Sequence, residues 1–404
     1  MNPDAVAVLD IGSSKITCLV ATRGRDGDVE VLAGATVPSA GISRGVITDP
    51  DVASGPILEA VSRVAHELDE EIAALLVSVN GTHLRGHSAQ GLKPIVPKGR
   101  LITRQDVLEV INHSRSVAEP EREQFQVLPR EFKVDGTQDV HEPIGIAGGR
   151  LEVLSYIAAG ESRHLRSVEL ALQKVGLTVD QMVLAPLASG IGVLTQDEME
   201  SGCAVVDIGE GTTGVGVFHK GSLAYAAVVP VGSGHVSKDI SLLVKTSPEE
   251  AERLKIEGGC ALAKLVDPDL SVDVTQLGQT QTRPFQANKL SEIIESRMRE
   301  IAKMVKRELE ASGLRNMLAS GVILTGGGSA LKGSEALFDQ VLGSTRVRLA
   351  EPTNNGSLQV TRQDAVAIGL ARFAIQCYNE VEPADGLMDW KGKVKSLFSL
   401  ISGR

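Results

Sequence analysis

Continuous apolar runs closed by glycine turns recur along the chain and predict buried strands. Residues 6–9 are apolar, Asp10-Ile11-Gly12-Ser13-Ser14-Lys15 follows, and residues 16–20 are apolar again except for Thr17, which predicts a strand, a tight turn and a second strand. The same pattern returns about half a chain length later, with residues 204–206, then Asp207-Ile208-Gly209-Glu210-Gly211-Thr212-Thr213-Gly214, then residues 215–218. This repeat predicts two related half-molecules, each opening on a buried strand that ends in Asp-Ile-Gly. Apolar residues spaced by three and four predict helices over 57–68, 107–117, 164–175, 248–257, 290–309 and 365–377. Strands alternating with helices imply an α/β architecture. Residues 258–289 are polar and weakly patterned, which predicts short strands and loops, and residues 379–386 have linker composition.

The glycine turns narrow the chemistry. Residues 209–214 spell GxGxxG, but a dinucleotide-binding turn of that form opens a helix, and here a β-rich run follows. A glycine hairpin can instead bring backbone N–H groups against a phosphate, with Ser and Thr hydroxyls adding hydrogen bonds. Asp10 and Asp207, one before each turn, are placed to hold the hydration shell of Mg²⁺, and two facing hairpins would clamp a triphosphate. A third turn, Thr325-Gly326-Gly327-Gly328-Ser329, follows a strand and precedes a helix, and would let an adenine or ribose lie flat against the backbone.

Composition changes the picture in two places. A length of 404 residues suggests two or three domains, or one duplicated fold with insertions. The net charge of −10 and the low aromatic share argue against nucleic acid as a partner. Cys18, Cys203, Cys260 and Cys377 stand far apart with no zinc-ligand spacing and read as reduced thiols of a cytosolic protein. No secretory signal opens the chain, and no apolar run is long enough to span a bilayer.

The last eighteen residues differ from the rest. Leu387, Trp390, Val394, Leu397, Phe398 and Ile401 fall on one helical face, with Lys391, Lys395, Ser399 and Ser402 opposite. Such a helix can dock on its own core. Its basic charge on an acidic protein, its place beyond a linker, and its pairing of Trp and Phe with lysines favour an interfacial helix on an anionic membrane surface.

Residues 9–15, 205–214 and 323–333 resemble the phosphate 1, phosphate 2 and adenosine motifs of the actin-like ATPases. Within that superfamily, segments 128–136, 143–146, 184–189 and 229–240 resemble those of the FtsA-like branch, and the similarity runs from about residue 5 to the end. The resemblance implies an α/β, actin-like (ribonuclease H-like) duplicated fold of two lobes. Subdomain 1A would comprise 1–83, 161–198 and 356–378, and the insert 1C 84–160. Subdomain 2A would comprise 199–231 and 314–355, and 2B 232–313; the linker 379–386 and the amphipathic helix 387–404 follow. ATP with Mg²⁺ would lie between 1A and 2A. Gly12, Ser13, Ser14, Lys15, Gly209, Gly211, Thr212 and Thr213 would contact phosphates, and Gly232, Gly234 and Lys238 also belong to the implied nucleotide site. Glu252, Lys255, Gly326, Gly327, Gly328 and Ser329 would border the nucleoside.

The resemblance also implies a role. Such a protein binds ATP, forms filaments with itself on the inner face of the cell membrane at the division site, and tethers the tubulin-like FtsZ there. The C-terminal peptide of FtsZ would meet Lys289, Arg297 and Glu300, and later division proteins would be recruited through 1C. Two departures matter: Glu210 stands where the family usually has a third glycine, and Gly214 where it usually has an acid. In related filament-forming ATPases that acid positions the attacking water, so weak or absent hydrolysis is expected here. Glu210 either supplies the missing carboxylate or faces solvent. An actin-like adaptor of pilus assembly of the PilM type, and a competent ATPase of the chaperone or sugar-kinase branch, are the alternatives.

Overall fold

The structure is a computed structural model that describes residues 5–24, 28–115, 121–279, 281–343, 345–356 and 358–379. Strands β1 (Val6–Ile11), β2 (Lys15–Arg23) and β3 (Val29–Pro38) form an antiparallel meander. A small ribbon, β4 (Ile42–Ser43) with β5 (Val46–Ile47), leads into helix α1 (Pro50–Leu68) and strand β6 (Ala74–Val79). An inserted unit follows: β7 (Arg85–Pro94), α2 (Arg104–Ser114), β8 (Arg122–Val134), β9 (Thr137–Val140) and β10 (Arg150–Glu161). The chain then returns through α3 (Ser162–Gln173), β11 (Thr178–Leu184), α4 (Ala185–Val193) and α5 (Gln196–Ser201).

The second half repeats the first. A meander of β12 (Cys203–Ile208), β13 (Thr213–His219) and β14 (Ser222–Val229) is followed by α6 (Ser233–Val244), α7 (Pro248–Gly258), the ribbon β15 (Ser271–Thr275) and β16 (Thr282–Gln286), and α8 (Ala287–Ala311). Then come β17 (Val322–Thr325), α9 (Ser334–Leu342), β18 (Val347–Leu349) and α10 (Ala365–Asn379). One five-stranded sheet has the order β3-β2-β1-β6-β11 and the other β14-β13-β12-β17-β18. In both, the first three strands are antiparallel and the last two run parallel to the central strand. The duplication legible as Asp-Ile-Gly is thus a duplication of whole sheets.

Each sheet is covered by helices, so its central strands are apolar on both faces: Val8, Leu9, Cys18 and Val20 in the first lobe, and Val205, Val206, Val215 and Val217 in the second, are fully buried. The insert has its own small core under α2, with sheet order β7-β10-β8-β9. Its strand β10 meets the second lobe through Tyr156, whose hydroxyl accepts from the Ala226 N–H at 2.9 Å.

Several helices begin earlier than the apolar spacing predicts, because polar caps set their starts. The Asp49 carboxylate accepts from the N–H groups of Asp51 and Val52, and Pro50 opens α1, seven residues before the first periodic position. Thr103 and Asp106 form a capping box that starts α2 at Arg104; the helix ends at Ser114 rather than 117, with the Arg115 N–H donating to the Asn112 carbonyl. Helices α4, α5 and α6 have no counterpart among the predicted helices, and α9 is the helix expected after the third glycine turn. α4 is buried on nearly every side and so has no polar face to reveal a period. It crosses α10 very closely: a Cβ on Gly192 would lie 2.1 Å from the Ala365 carbonyl, and one on Gly369 1.7 Å from that of Ala188.

No helix among the described residues is long and apolar enough to cross a membrane. Leu387, Trp390, Lys391, Val394, Lys395, Leu397, Phe398 and Ile401 lie outside the described residues.

Candidate functional site

The two Asp-Ile-Gly hairpins are built alike. Gly12 N–H donates to the Lys15 carbonyl at 3.0 Å, and Gly209 N–H to that of Thr212 at 2.9 Å, so each turn is closed across its mouth. The turns face each other across the lobes: a Cβ on Gly211 would lie 2.6 Å from Ser13 Oγ and 3.1 Å from Arg44 Cα. Ser13 Oγ accepts from the Gly45 N–H at 2.8 Å, and Asn80 Nδ2 donates to Thr212 Oγ1 at 3.2 Å, a second tie between the halves.

The acids lie behind these turns. Asp10 accepts from the Ser78 hydroxyl at 2.7 Å, and its carboxyl is held above the usual range mainly by burial, against the pull of Ser78 and Lys15. Asp207 is pushed up to about 7 by burial and, secondly, by the charge of Asp10. Two half-buried carboxyls that repel one another are a site short of positive charge. Lys15 lowers both, but its ammonium is also held by Asp364 Oδ1 at 2.8 Å. A hydrated divalent cation fits this deficit, because it would restore both carboxylates to their charged forms. Among the described residues no group of three or more His, Cys, Asp or Glu could hold a metal ion directly.

The third turn closes the site. A Cβ on Gly326 would sit 2.1 Å from Asp207 Oδ1, and one on Gly328 2.4 Å from Ile208 Cγ2, so only glycine lets this turn approach the second hairpin. Gly327 borders Gln363. The Ser329 hydroxyl donates to the Gly326 carbonyl at 2.7 Å and that of Thr213 to the Val231 carbonyl at 2.8 Å; both serve the turns themselves. Gly232 and Gly234 lie against the second hairpin, where Ser233 and Gly234 N–H groups bond the carbonyls of Gly209 and Glu210. Glu210 is exposed, with its carboxylate lying against Gly234 in the first turn of α6. Ser14 and Lys238 are exposed. Glu252 pairs with the buried Lys255 at 2.7 Å, and Lys255 reaches the Ser233 carbonyl at 3.4 Å, tying α7 to α6.

Gly214 pairs with Asp207 across the hairpin, and a Cβ there would lie 3.4 Å from Pro186 Cγ, an ordinary contact. The space around a Cβ is therefore not what keeps a side chain from this position.

On α8, Lys289 is exposed, while Arg297 is held by Asp239 of α6 in two bonds of 2.7 and 3.0 Å and by Glu300 one turn along. Ser78, Asn80 and Asp364 were not among the residues singled out from the sequence. Their signals are slight: Ser78-Val79-Asn80-Gly81 ends a strand, and Asp364 follows Thr361 at capping-box spacing.

A family-level sequence profile described as "Cell division protein FtsA" matches residues 204–371, and one described as "SHS2 domain inserted in FTSA" matches residues 81–158, the inserted unit. Curated proteins named "Cell division protein FtsA" are similar over most of the chain. That of Pseudomonas aeruginosa is 31% identical over 372 residues, 91% of this chain and 88% of its own length. That of Borreliella burgdorferi is 31% identical over 402 residues, 98% of this chain and 97% of its own. Among solved structures, a PilM–PilN type IV pilus biogenesis complex aligns with a TM-score of 0.63 at 18% identity, over 94% of this chain and 99% of that one. MreB5 of Spiroplasma citri bound to ADP aligns with a TM-score of 0.55 at 12% identity, over 95% and 100%. These distant structures share the actin-like fold. With identity near one third along nearly its full length, and the insert in place, the chain belongs to the FtsA family of cell-division proteins.

Proposed function

We propose that this protein is an ATP-binding adaptor that polymerises on the inner face of the cell membrane and anchors FtsZ filaments there at the division site. One observation carries the nucleotide reading: two facing glycine hairpins with Asp10 and Asp207 half-buried behind them, short of positive charge. Magnesium, when bound with ATP, supplies that charge. Gly12, Gly209 and Gly211 would offer backbone N–H groups to phosphates, Ser13, Ser14 and Thr212 their hydroxyls, and Lys15, steadied by Asp364, its ammonium. Gly326 to Gly328 would face the nucleoside, with Glu252 and Lys255 on the other side.

The chain's residues favour holding ATP over splitting it. Gly214 leaves no carboxylate beside Asp207 to orient water, and Glu210 lies against α6. Filaments should release phosphate far more slowly than about 1 s⁻¹, the lower end of ordinary enzyme turnover. Thermal unfolding of the full chain with MgATP, ATP plus EDTA, and neither checks the binding. A rise of several degrees only with MgATP is expected, and its loss in Asp207→Asn; equal curves in all three would overturn the site.

Membrane attachment rests on residues 387–404. Each lysine near an anionic surface contributes about 1 kcal/mol, and each large apolar side chain about 1.5–3 kcal/mol before ordering costs, so one helix is a reversible anchor. Polymerisation aligns many and makes attachment firm. Removing the residues after Gly386 should abolish cosedimentation with vesicles containing phosphatidylglycerol.

The FtsZ C-terminal peptide would meet α8 at Lys289 and Arg297. Because Asp239 and Glu300 already hold Arg297, a peptide carboxylate must displace one of them. Arg297→Glu should abolish pull-down by the peptide, while Asp239→Asn should strengthen it. The pilus-adaptor alternative shares the fold, but the curated relatives and both family profiles point to division. Later division proteins recruited through the insert complete the proposed role.

A further inference from the structure

A large cleft lies away from the phosphate turns. It has a volume of about 670 Å³ and opens at the far end of the second hairpin, where Cys203 pairs with Phe218, rather than at the Ile208–Thr213 end that carries the turn. Its walls mix apolar and polar surface and come from both lobes and the insert; the apolar part is made by Ile191 and Val193 of α4, Met199 of α5, Phe218 of β13, Leu128 of β8 and Phe373 of α10. Exposed Asp197 and Glu200 of α5 stand at its rim, whereas the charged residues of the lining are paired, Glu351 with Arg362 at 3.0 Å and Arg372 with Asp28 at 2.9 Å.

We propose that this cleft is a docking site for the chain's own residues 387–404, which it masks from the membrane while the protein is a monomer. The inference rests on reading that segment as an interfacial helix. Three observations select this occupant. Helix α10 itself forms part of the wall through Phe373 and Gln376, and the described chain ends at Asn379, within one helical turn of that wall. Residues 380–386 can span at most about 25 Å, so the helix that follows is held near the cleft at high effective concentration. Finally, the segment complements the cleft: Trp390, Leu397 and Phe398 for the apolar part of its walls, and Lys391, Lys393 and Lys395 for the exposed carboxylates of Asp197 and Glu200. The cleft size is that of a pocket which buries a few large side chains. Seating the apolar face there removes the surface that would enter a membrane, and anionic lipid competes for the same side chains.

Trp390 is the only tryptophan of the chain and reports the segment directly. In lipid-free full-length protein with monomer concentration varied tenfold, acrylamide should quench Trp390 about threefold less than N-acetyltryptophanamide, at every concentration. Met199→Glu on the wall, and Gln196→Lys on the exposed rim, should bring quenching up to the free value. They should also lower the phosphatidylglycerol–phosphatidylethanolamine vesicle concentration needed for half-binding, by up to about tenfold if nine-tenths of the monomer is masked. The rim variant leaves the packing untouched, so a folding defect in Met199→Glu does not obscure the result. Wild-type quenching equal to that of the free indole overturns the proposal, as does protection that both variants leave intact. Protection that appears only as concentration rises assigns the cleft to a second copy and also overturns it. Protected Trp390 with no vesicle binding by any variant would retain the docking and remove the membrane reading instead.

Discussion

The most informative single residue is Asp207. Its folded-state carboxyl is raised to about 7 from an ordinary 3.8, so the stability associated with its proton is fully present below about 4 and is lost as pH rises through 7. Asp207→Asn should therefore stabilise the nucleotide-free protein at pH 8, by on the order of a few kcal/mol, and remove that slope from denaturant midpoints measured between pH 5 and 8. His83 acts in the opposite direction. Its ring has no hydrogen-bond partner, stacks 4.7 Å from that of His164, and is lowered to about 4 chiefly by burial, then by His164, with Arg122 and Arg163 adding to the effect and Glu161 opposing it. The unfolded chain then binds the extra proton between about 6.5 and 4, so stability should fall over that window as pH falls, by on the order of 2–3 kcal/mol, and His83→Leu should flatten the fall. Asp10 and Asp207 were legible because each stands immediately before a glycine turn. Ser78 and Asp364 were not: their partners, Asp10 and Lys15, lie 68 and 349 positions away, and no local pattern encodes a bond over such distances.

At the scale of elements, the hairpins and the long amphipathic helices were readable because one periodicity suffices to describe them. Helix α4 was not, since a segment buried between α10 and the second sheet has no polar face, and its glycines serve a helix crossing that only the assembled fold creates. The docking of the insert is another product of assembly. Tyr156 of β10 reaches the edge strand β14 and occupies the Ala226 N–H, which the sheet itself leaves open. Tyr156→Phe should cost about 1–2 kcal/mol, because a partly buried N–H loses its acceptor. Gly86→Ala should cost more: its Cβ would lie 1.8 Å from the Tyr156 hydroxyl, and the ring would have to leave. Amide exchange at Ala226 gives a direct reading, with faster exchange expected in both variants.

For the whole molecule, the decisive distance is that between the two lobes. Gly211 has ordinary φ, so a side chain there meets no backbone penalty, and the atoms nearest its Cβ are those of Ser13 and Arg44 of the opposite lobe. Gly211→Val should consequently keep the melting curve of the nucleotide-free protein near that of wild type and abolish the stabilisation by MgATP, a combination that a folding defect would not give. The close crossing of α4 and α10 has a mechanical consequence. Because α10 is locked to α4 and also packs on β1, the point where the tail departs moves as one piece with the first hairpin. On the function proposed above, a nucleotide that drew the second lobe toward the first would therefore leave the root of the tail in register with the first hairpin.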